Sequence, residues 1–349
     1  MPDLKSLARR PEFAAFVGTL SVFIFFAYFG WPTFTTVLVT AGWLNVAAEL
    51  GLIALPVALV MIAGHLDLSV GSVLAAGAMT YAIFTGHLGL PDWIGLPAGL
   101  AVGTFFGFLT GIVVTRTKLP SFIVTLAMMF GIRGLVFGIT RLTTSTVLVA
   151  VEVAPWIRSV FGGRIWKTFE MAILFFLGMA LIVWWILNRS KYGNWIFAIG
   201  GDEVSARAAG VPVEKTTIWL FMATGFGAAL LGIIQVATYG SAQVSAGQSY
   251  VFYSIIAVVV GGVLLTGGYG SPVGVVFGTL TFAIVSQGIY STGWDSDWSS
   301  LILGLLLLIA VLANNTFRRL ALSGGEKPKE ALVKDQAPDE TLKQEVSNV

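Results

Sequence analysis

Runs of about twenty apolar residues recur along almost the whole of this chain, and no other feature restricts its fold so severely. A backbone immersed in hydrocarbon must satisfy every N–H and C=O within itself, so only helices and closed barrels cross a membrane. Twenty helical residues span roughly 30 Å of hydrocarbon, whereas a barrel strand would show ten-residue segments of alternating hydrophobicity. The 349 residues are 56% hydrophobic and only 11% charged, against about a quarter charged in soluble domains. The expected fold is therefore all-α, a polytopic transmembrane helical bundle of about ten spans. They fall near 13–31, 46–64, 68–86, 93–114, 121–140, 171–188, 216–237, 251–266, 271–290 and 300–314. The first follows Lys5, Arg9 and Arg10. It is longer than a signal-peptide core and lacks a small-residue cleavage site, so it reads as an uncleaved span. Residues 1–322 form the expected membrane domain; residues 323–349, rich in Lys, Glu and Asp, read as a disordered cytoplasmic tail.

Basic residues set the orientation. With both termini in the cytoplasm, 15 of the 20 Lys and Arg residues lie on that side, among them Arg116, Lys118, Arg189, Lys191, Arg207 and Lys215. Only Arg141, Arg158, Arg164 and Lys167 fall outside, and Arg133 sits in or near the fifth span. This is the positive-inside pattern, and it places the 141–170 loop on the outer side. Trp31, Trp43, Trp93, Trp219 and Trp298 lie near expected span ends, as interfacial aromatics do.

Two pairs of spans are interrupted rather than joined by loops. His65-Leu66-Asp67 divides the second from the third, and Gly267-Gly268-Tyr269-Gly270 divides the eighth from the ninth. Short, glycine-interrupted segments point to broken helices lining a cavity. The fourth span carries Gly95, Gly99, Gly103, Gly107 and Gly111 at four-residue spacing. Such a row lets helix backbones approach closely in lipid, and helix packing is its reading here.

Candidates for chemistry are few. There is no cysteine and only His65 and His87, so neither a thiolate nor a histidine-rich metal site is available. No phosphate-binding Gly-x-x-x-x-Gly-Lys-Ser/Thr loop occurs, and no Ser/His/Asp or paired-carboxylate arrangement suggests hydrolysis. The chain carries no catalytic residues of its own, no cofactor and no energy source, and nothing points to nucleic acid. Ionisable residues at membrane depth are expensive and often functional. Asp67 and Ser69 stand between two apolar runs, where Asp67 either caps the third span or serves transport directly. Asn45 and Glu49, one turn apart, are expected at the outer start of the second span. Arg133 either anchors the outer interface or pairs with an acid such as Glu49. Thr125, Gln235, Gln243 and Gln287 complete the candidate translocation pathway, suited to a polyhydroxylated solute.

One polar island interrupts the hydrophobic pattern: Gly200-Gly201-Asp202-Glu203-Val204-Ser205-Ala206-Arg207-Ala208-Ala209-Gly210. Asp202 can accept hydrogen bonds from free N–H groups at a helix start. Glu203 complements the positive helix end, and Glu203 to Arg207 is the favourable i,i+4 order. Gly210 followed by Pro212 ends the helix. Two turns are marginal alone in water, so the segment is either an ordinary interfacial helix or one that docks. If it docks, Gly201, Asp202, Glu203, Ala206, Arg207, Ala209 and Gly210 form the contact, with small Ala206 and Ala209 suited to a groove.

Several segments together resemble the ribose-type permeases of bacterial ABC sugar importers. They are Gly64-x-Leu66-Asp67-Leu68-Ser69-Val70-Gly71-Ser72, then Phe122–Met129 followed by Arg133-Gly134, and Ala198–Gly210. Ser241-Ala242-Gln243, Ala246-Gly247, Ala257-Val258-Val259, Gly261-Gly262 and Gly267-Gly268-x-Gly270 continue the series. The likeness runs from about Asn45 to Asn315. It implies a multi-pass protein of the bacterial inner membrane and a permease dimer, of this chain or with a homologue. It also implies an ABC ATPase subunit holding ATP and magnesium, and a periplasmic sugar-binding protein. By the same resemblance the island is the helix that contacts the ATPase. His65 and the aromatic, acidic Trp294–Trp298 loop depart from the pattern, so the likeness does not name the sugar. The rival expectations are a nucleoside or branched-chain amino-acid permease and, from another class, an ion-coupled transporter using Asp67 and Glu49.

Overall fold

The computed structural model describes residues 11–308, apart from 118, 296, 299, 303, 306 and 307. Most of the tenth expected span and all of the 323–349 tail lie outside these residues. Helices α1 (Pro11–Phe29), α2 (Val37–Ile62), α3 (Val70–Ala82), α4 (Asp92–Thr117) and α5 (Ser121–Thr144) form the first half. A long loop follows with strand β1 (Leu148–Ala150), helix α6 (Pro155–Phe161) and the hairpin of β2 (Arg164–Ile165) and β3 (Phe169–Glu170). Then come α7 (Ala172–Arg189), α8 (Lys191–Gly201), the short α9 (Glu203–Ala208) and α10 (Val213–Tyr239). Strand β4 (Ser241–Gln243), α11 (Gln248–Val260) and α12 (Pro272–Gly288) complete the described chain. Seven of these helices are long and apolar enough to cross a membrane. Helices α3 and α11, at 13 residues each, are too short to do so alone. They sit beside the two glycine-bearing interruptions anticipated from the sequence.

The core is α2 and α10, buried along most of their length, while α1, α5 and α7 turn much of their apolar surface outward. Helix α2 begins nine residues earlier than the sequence pattern suggests, because the Thr36 hydroxyl caps it by accepting from the Val39 N–H. Within it, Pro56 leaves the Leu52 carbonyl without its usual donor. Gly227 of α10 lies against that carbonyl, where a Cβ would approach to 2.8 Å.

The glycines of α4 face α10 backbone to backbone. A Cβ at Gly107 would overlap the Phe221 carbonyl oxygen, one at Gly103 the Ala229 side chain, and one at Gly111 would lie 2.8 Å from the Ile218 Cα. Gly99 faces Gly77 of α3, with its Cβ position 2.8 Å from the Gly77 oxygen. Close approach of this kind replaces the hydrophobic effect, which does not drive helices together in lipid, with dispersion contacts.

At the end opposite the breaks, β1 pairs antiparallel with β4, Leu148 facing Gln243 and Ala150 facing Ser241. The buried Tyr81 hydroxyl donates to Asp92, whose other oxygen accepts from the Ala154 N–H at 3.3 Å. Threonines along the helices mostly donate to a carbonyl one turn back, as Thr104, Thr110, Thr143 and Thr238 do.

Candidate functional site

Three groupings of polar residues stand out from the apolar bundle. The first surrounds Glu49, which lies 12 residues into α2 rather than at its start, and is 8% exposed. Its carboxylate accepts from Gln235 Nε2 at 2.9 Å, from the Tyr250 hydroxyl and from the Tyr239 hydroxyl at 3.3 Å. Helices α2, α10 and α11 thus meet on one acid. Asn45, a turn away, pins the β2–β3 hairpin: its Nδ2 donates to the Thr168 carbonyl and its oxygen accepts from the Glu170 N–H. Burial, then the neighbouring Glu49 carboxylate, push the Glu170 carboxyl above the ordinary range, and Arg164 opposes them. Gln235 and Tyr239 also face a cleft of about 280 Å³, lined further by Leu148, Ser241, Gln243 and Ala246. No lining residue carries a charge.

Arg133 does not pair with Glu49. With the Gln248 amide oriented to suit its donors, the Gln248 oxygen accepts from all three guanidinium nitrogens, at 2.7–3.1 Å. The guanidinium also lies 5.7 Å from the Phe137 ring centre. Gln287 stands apart from the Glu49 group, near Gly42.

The second grouping is the break between α2 and α3. Asp67, 2% exposed, accepts through Oδ1 from the Ser69 N–H at 2.9 Å and the Ser69 hydroxyl at 2.6 Å. Its Oδ2 accepts from the Thr224 hydroxyl of α10 at 2.6 Å. Ser69 immediately precedes α3, so Asp67 both turns the chain into that helix and ties the break to α10. From α5, the Ser121 hydroxyl accepts from the Leu66 N–H at 2.9 Å, and Thr125 donates to the Leu66 carbonyl at 3.2 Å. The backbone groups freed by the break are thus satisfied by neighbouring side chains, as a broken helix at membrane depth requires.

The third is the island. Asp202 caps α9 by accepting from the Ser205 N–H, which holds its carboxyl below the ordinary range. Arg207 pairs within the chain, with Glu203 at 3.2 Å and Glu214 at 3.1 Å. Gly210 takes a left-handed φ of 82° and turns the chain toward α10. Ala206 is the exception to the sequence expectation. It is buried against the protein itself, so its small side chain serves internal packing rather than an outside groove. Ala209 is exposed as expected, and the large exposed apolar residue of the island is Val204, 78% accessible, which capping and charge patterns gave no reason to single out.

The comparisons with known proteins agree with this anatomy. The family described as "Branched-chain amino acid transport system / permease component" matches residues 39–311. The fructose import permease protein FrcC of Rhizobium meliloti is 32% identical over 80% of this chain and 78% of its own length. The ribose import permease protein RbsC of Escherichia coli K12 is 32% identical over 90% of this chain and 94% of its own. The autoinducer 2 import permease LsrD of Photorhabdus laumondii is 29% identical over 76% and 80%. The family model spans most of the chain and the relatives are about a third identical over most of it, so the chain belongs to the branched-chain amino acid transport system permease family, a multi-pass membrane permease similar to the ribose, fructose and autoinducer 2 importers.

Proposed function

We propose that the chain is the membrane-spanning subunit of an importer that carries a monosaccharide or related polyol from periplasm to cytoplasm. A separate ATPase subunit hydrolyses the ATP, a periplasmic binding protein delivers the solute, and a second permease copy or homologue completes the pathway. The observation that carries this reading is α9, a capped, solvent-facing helix between α8 and α10 with Val204 standing outward. Buried Ala206 anchors α9 to the bundle while Val204, Glu203 and Arg207 stand outward, a mixed apolar and charged face open to a partner subunit.

The uncharged cleft supports a polyol. Gln235 and Gln243 each offer both donors and acceptors, and the Tyr239 and Ser241 side chains line the same cleft. An amino-acid carboxylate would need a cation or a helix start in that cleft, and the lining residues supply no cation. The charge pattern supports both termini and α9 lying in the cytoplasm, with the β2–β3 hairpin outside.

The test is Val204→Arg in the assembled transporter. It should leave the permease inserted at normal abundance while abolishing binding-protein-stimulated ATP hydrolysis. Arg207→Ala should be milder, since solvent screens exposed ion pairs and leaves them a small net contribution. Undiminished uptake by Val204→Arg, or by wild type in cells lacking any partner ATPase, overturns the proposal.

A further inference from the structure

Three backbone segments meet at the inner end of the bundle with no side chain between them. They are the break after α2, the break after α11 and the last turn of α8. The Gly268 N–H donates to the Ile62 carbonyl, the last residue of α2, at 2.8 Å. A Cβ at Gly200 of α8 would overlap that same carbonyl oxygen and lie 2.5 Å from the Gly268 nitrogen. At Gly267 it would sit 2.7 Å from the Gly64 Cα and 3.0 Å from the Gly200 oxygen. Gly64, Gly267 and Gly268 all have left-handed φ, at 84°, 81° and 74°, which glycine alone adopts freely. Gly201, one residue beyond Gly200, faces open space.

The position of this node is informative. Gly200 stands two residues before Asp202, the cap of α9. On its other side the node joins the last residue of α2 to the loop that connects α11 to α12; α2 carries Glu49 midway along its length, and α11 carries Tyr250 in its first turn. Contacts between flexible side chains absorb a displacement by changing rotamer. Contacts between backbones have no such freedom, and close-packed interiors transmit strain. A displacement that α9 passes into the last turn of α8 therefore falls directly on Ile62 and Gly268.

We infer that Gly200 is a positioning residue that transmits movement of α9 to the inner end of α2 and to the loop joining α11 to α12, and through them to the Glu49–Tyr250 pair. This rests on the reading of α9 as the ATPase contact. It assigns the linkage to a specific backbone junction rather than to the helix ends in general.

The experiment uses the complete transporter with Thr266→Cys as probe, an exposed position beside the node in a chain without native cysteine. The rate of maleimide labelling at this cysteine is compared between the nucleotide-free and vanadate-trapped complexes. The expected result is a rate that differs between the two states, a difference lost in Gly200→Ala and retained in Gly201→Ala. ATP hydrolysis should persist in Gly200→Ala but lose its stimulation by the loaded binding protein, by about tenfold or more. Equal labelling in both states of the otherwise native chain overturns the inference, even if Gly200→Ala fails to accumulate. So does a Gly200→Ala protein that keeps the difference, or a Gly201→Ala protein that loses it. Failure of the ATPase to co-purify with the unaltered permease removes instead the reading on which the inference rests.

Discussion

Replacing Asp67 separates hydrogen bonding from charge. Its carboxylate receives three donors, the Ser69 N–H, the Ser69 hydroxyl and the Thr224 hydroxyl. In Asp67→Asn the amide oxygen can keep both Ser69 bonds. The amide nitrogen can then donate to the Thr224 oxygen, whose own hydrogen is free to go to the Phe221 carbonyl, 2.8 Å away. No donor is stranded, and a charge no longer has to be held in a site 2% exposed. Asp67→Ala is different. The Ser69 N–H cannot turn elsewhere, and a stranded buried donor costs about 1–3 kcal/mol. The two hydroxyls can rotate to other acceptors, so the total should stay near 2–4 kcal/mol, with the break loosened from α10. Thermal unfolding of the purified permease in nanodiscs should show Asp67→Asn equal to or above wild type and Asp67→Ala well below it. Uptake per inserted molecule should follow the same order. A transport-dead Asp67→Asn at normal abundance and normal stability would show that the charge itself is used, and would revive an ion-coupled mechanism.

Four further outcomes are expected. Gly107→Ala should destabilise by about 1–3 kcal/mol through overpacking against Phe221, whereas Gly178→Ala, which meets nothing within 4 Å, should gain about 0.5–1 kcal/mol; paired unfolding curves check both. For Glu170 the folded carboxyl binds its proton more tightly than the unfolded one, so its contribution is full below the ordinary carboxylate pKa and lost as pH rises through the raised value. Glu170→Gln should therefore match wild type in acid and exceed it at neutral pH, measured as melting temperature against pH. Glu49→Ala should weaken uptake far more than Gln287→Ala, because three side chains converge on Glu49 and Gln287 stands outside that group; solute uptake at matched abundance decides. Single cysteines at Ser159 and Ser205 should react with an impermeant thiol reagent in intact cells at the first position and only in opened vesicles at the second.

The helices were legible because lipid imposes a crude rule, a long apolar run. The interruptions at His65–Asp67 and Gly267–Gly270 were legible because breaking such a run demands glycine and polar residues. Depth was harder to read. Glu49 looks peripheral in a hydrophobicity profile, since the profile begins the second span at 46, but the Thr36 cap starts the helix earlier and carries the acid inward. Partner choice was harder still. Arg133 goes to Gln248 across about a hundred residues of intervening chain, and no local spacing encodes that pairing. Ala206 shows the same limit on a short helix: six residues give too little periodicity to say which face turns inward, and Val204 emerges only once α9 is seen against α8 and α10.

The β1–β4 pairing carries a consequence for biogenesis. Joining Ala150 to Ser241 closes a loop of about 90 residues, an entropic cost of about 4 kcal/mol beyond a constant. Three register pairs cannot meet that on their own. The strands should therefore join only after α7 and α10 have inserted and packed, when the intervening chain is no longer free. By this reasoning the clasp is among the last structures to form, and its presence marks a molecule whose two halves have already found each other.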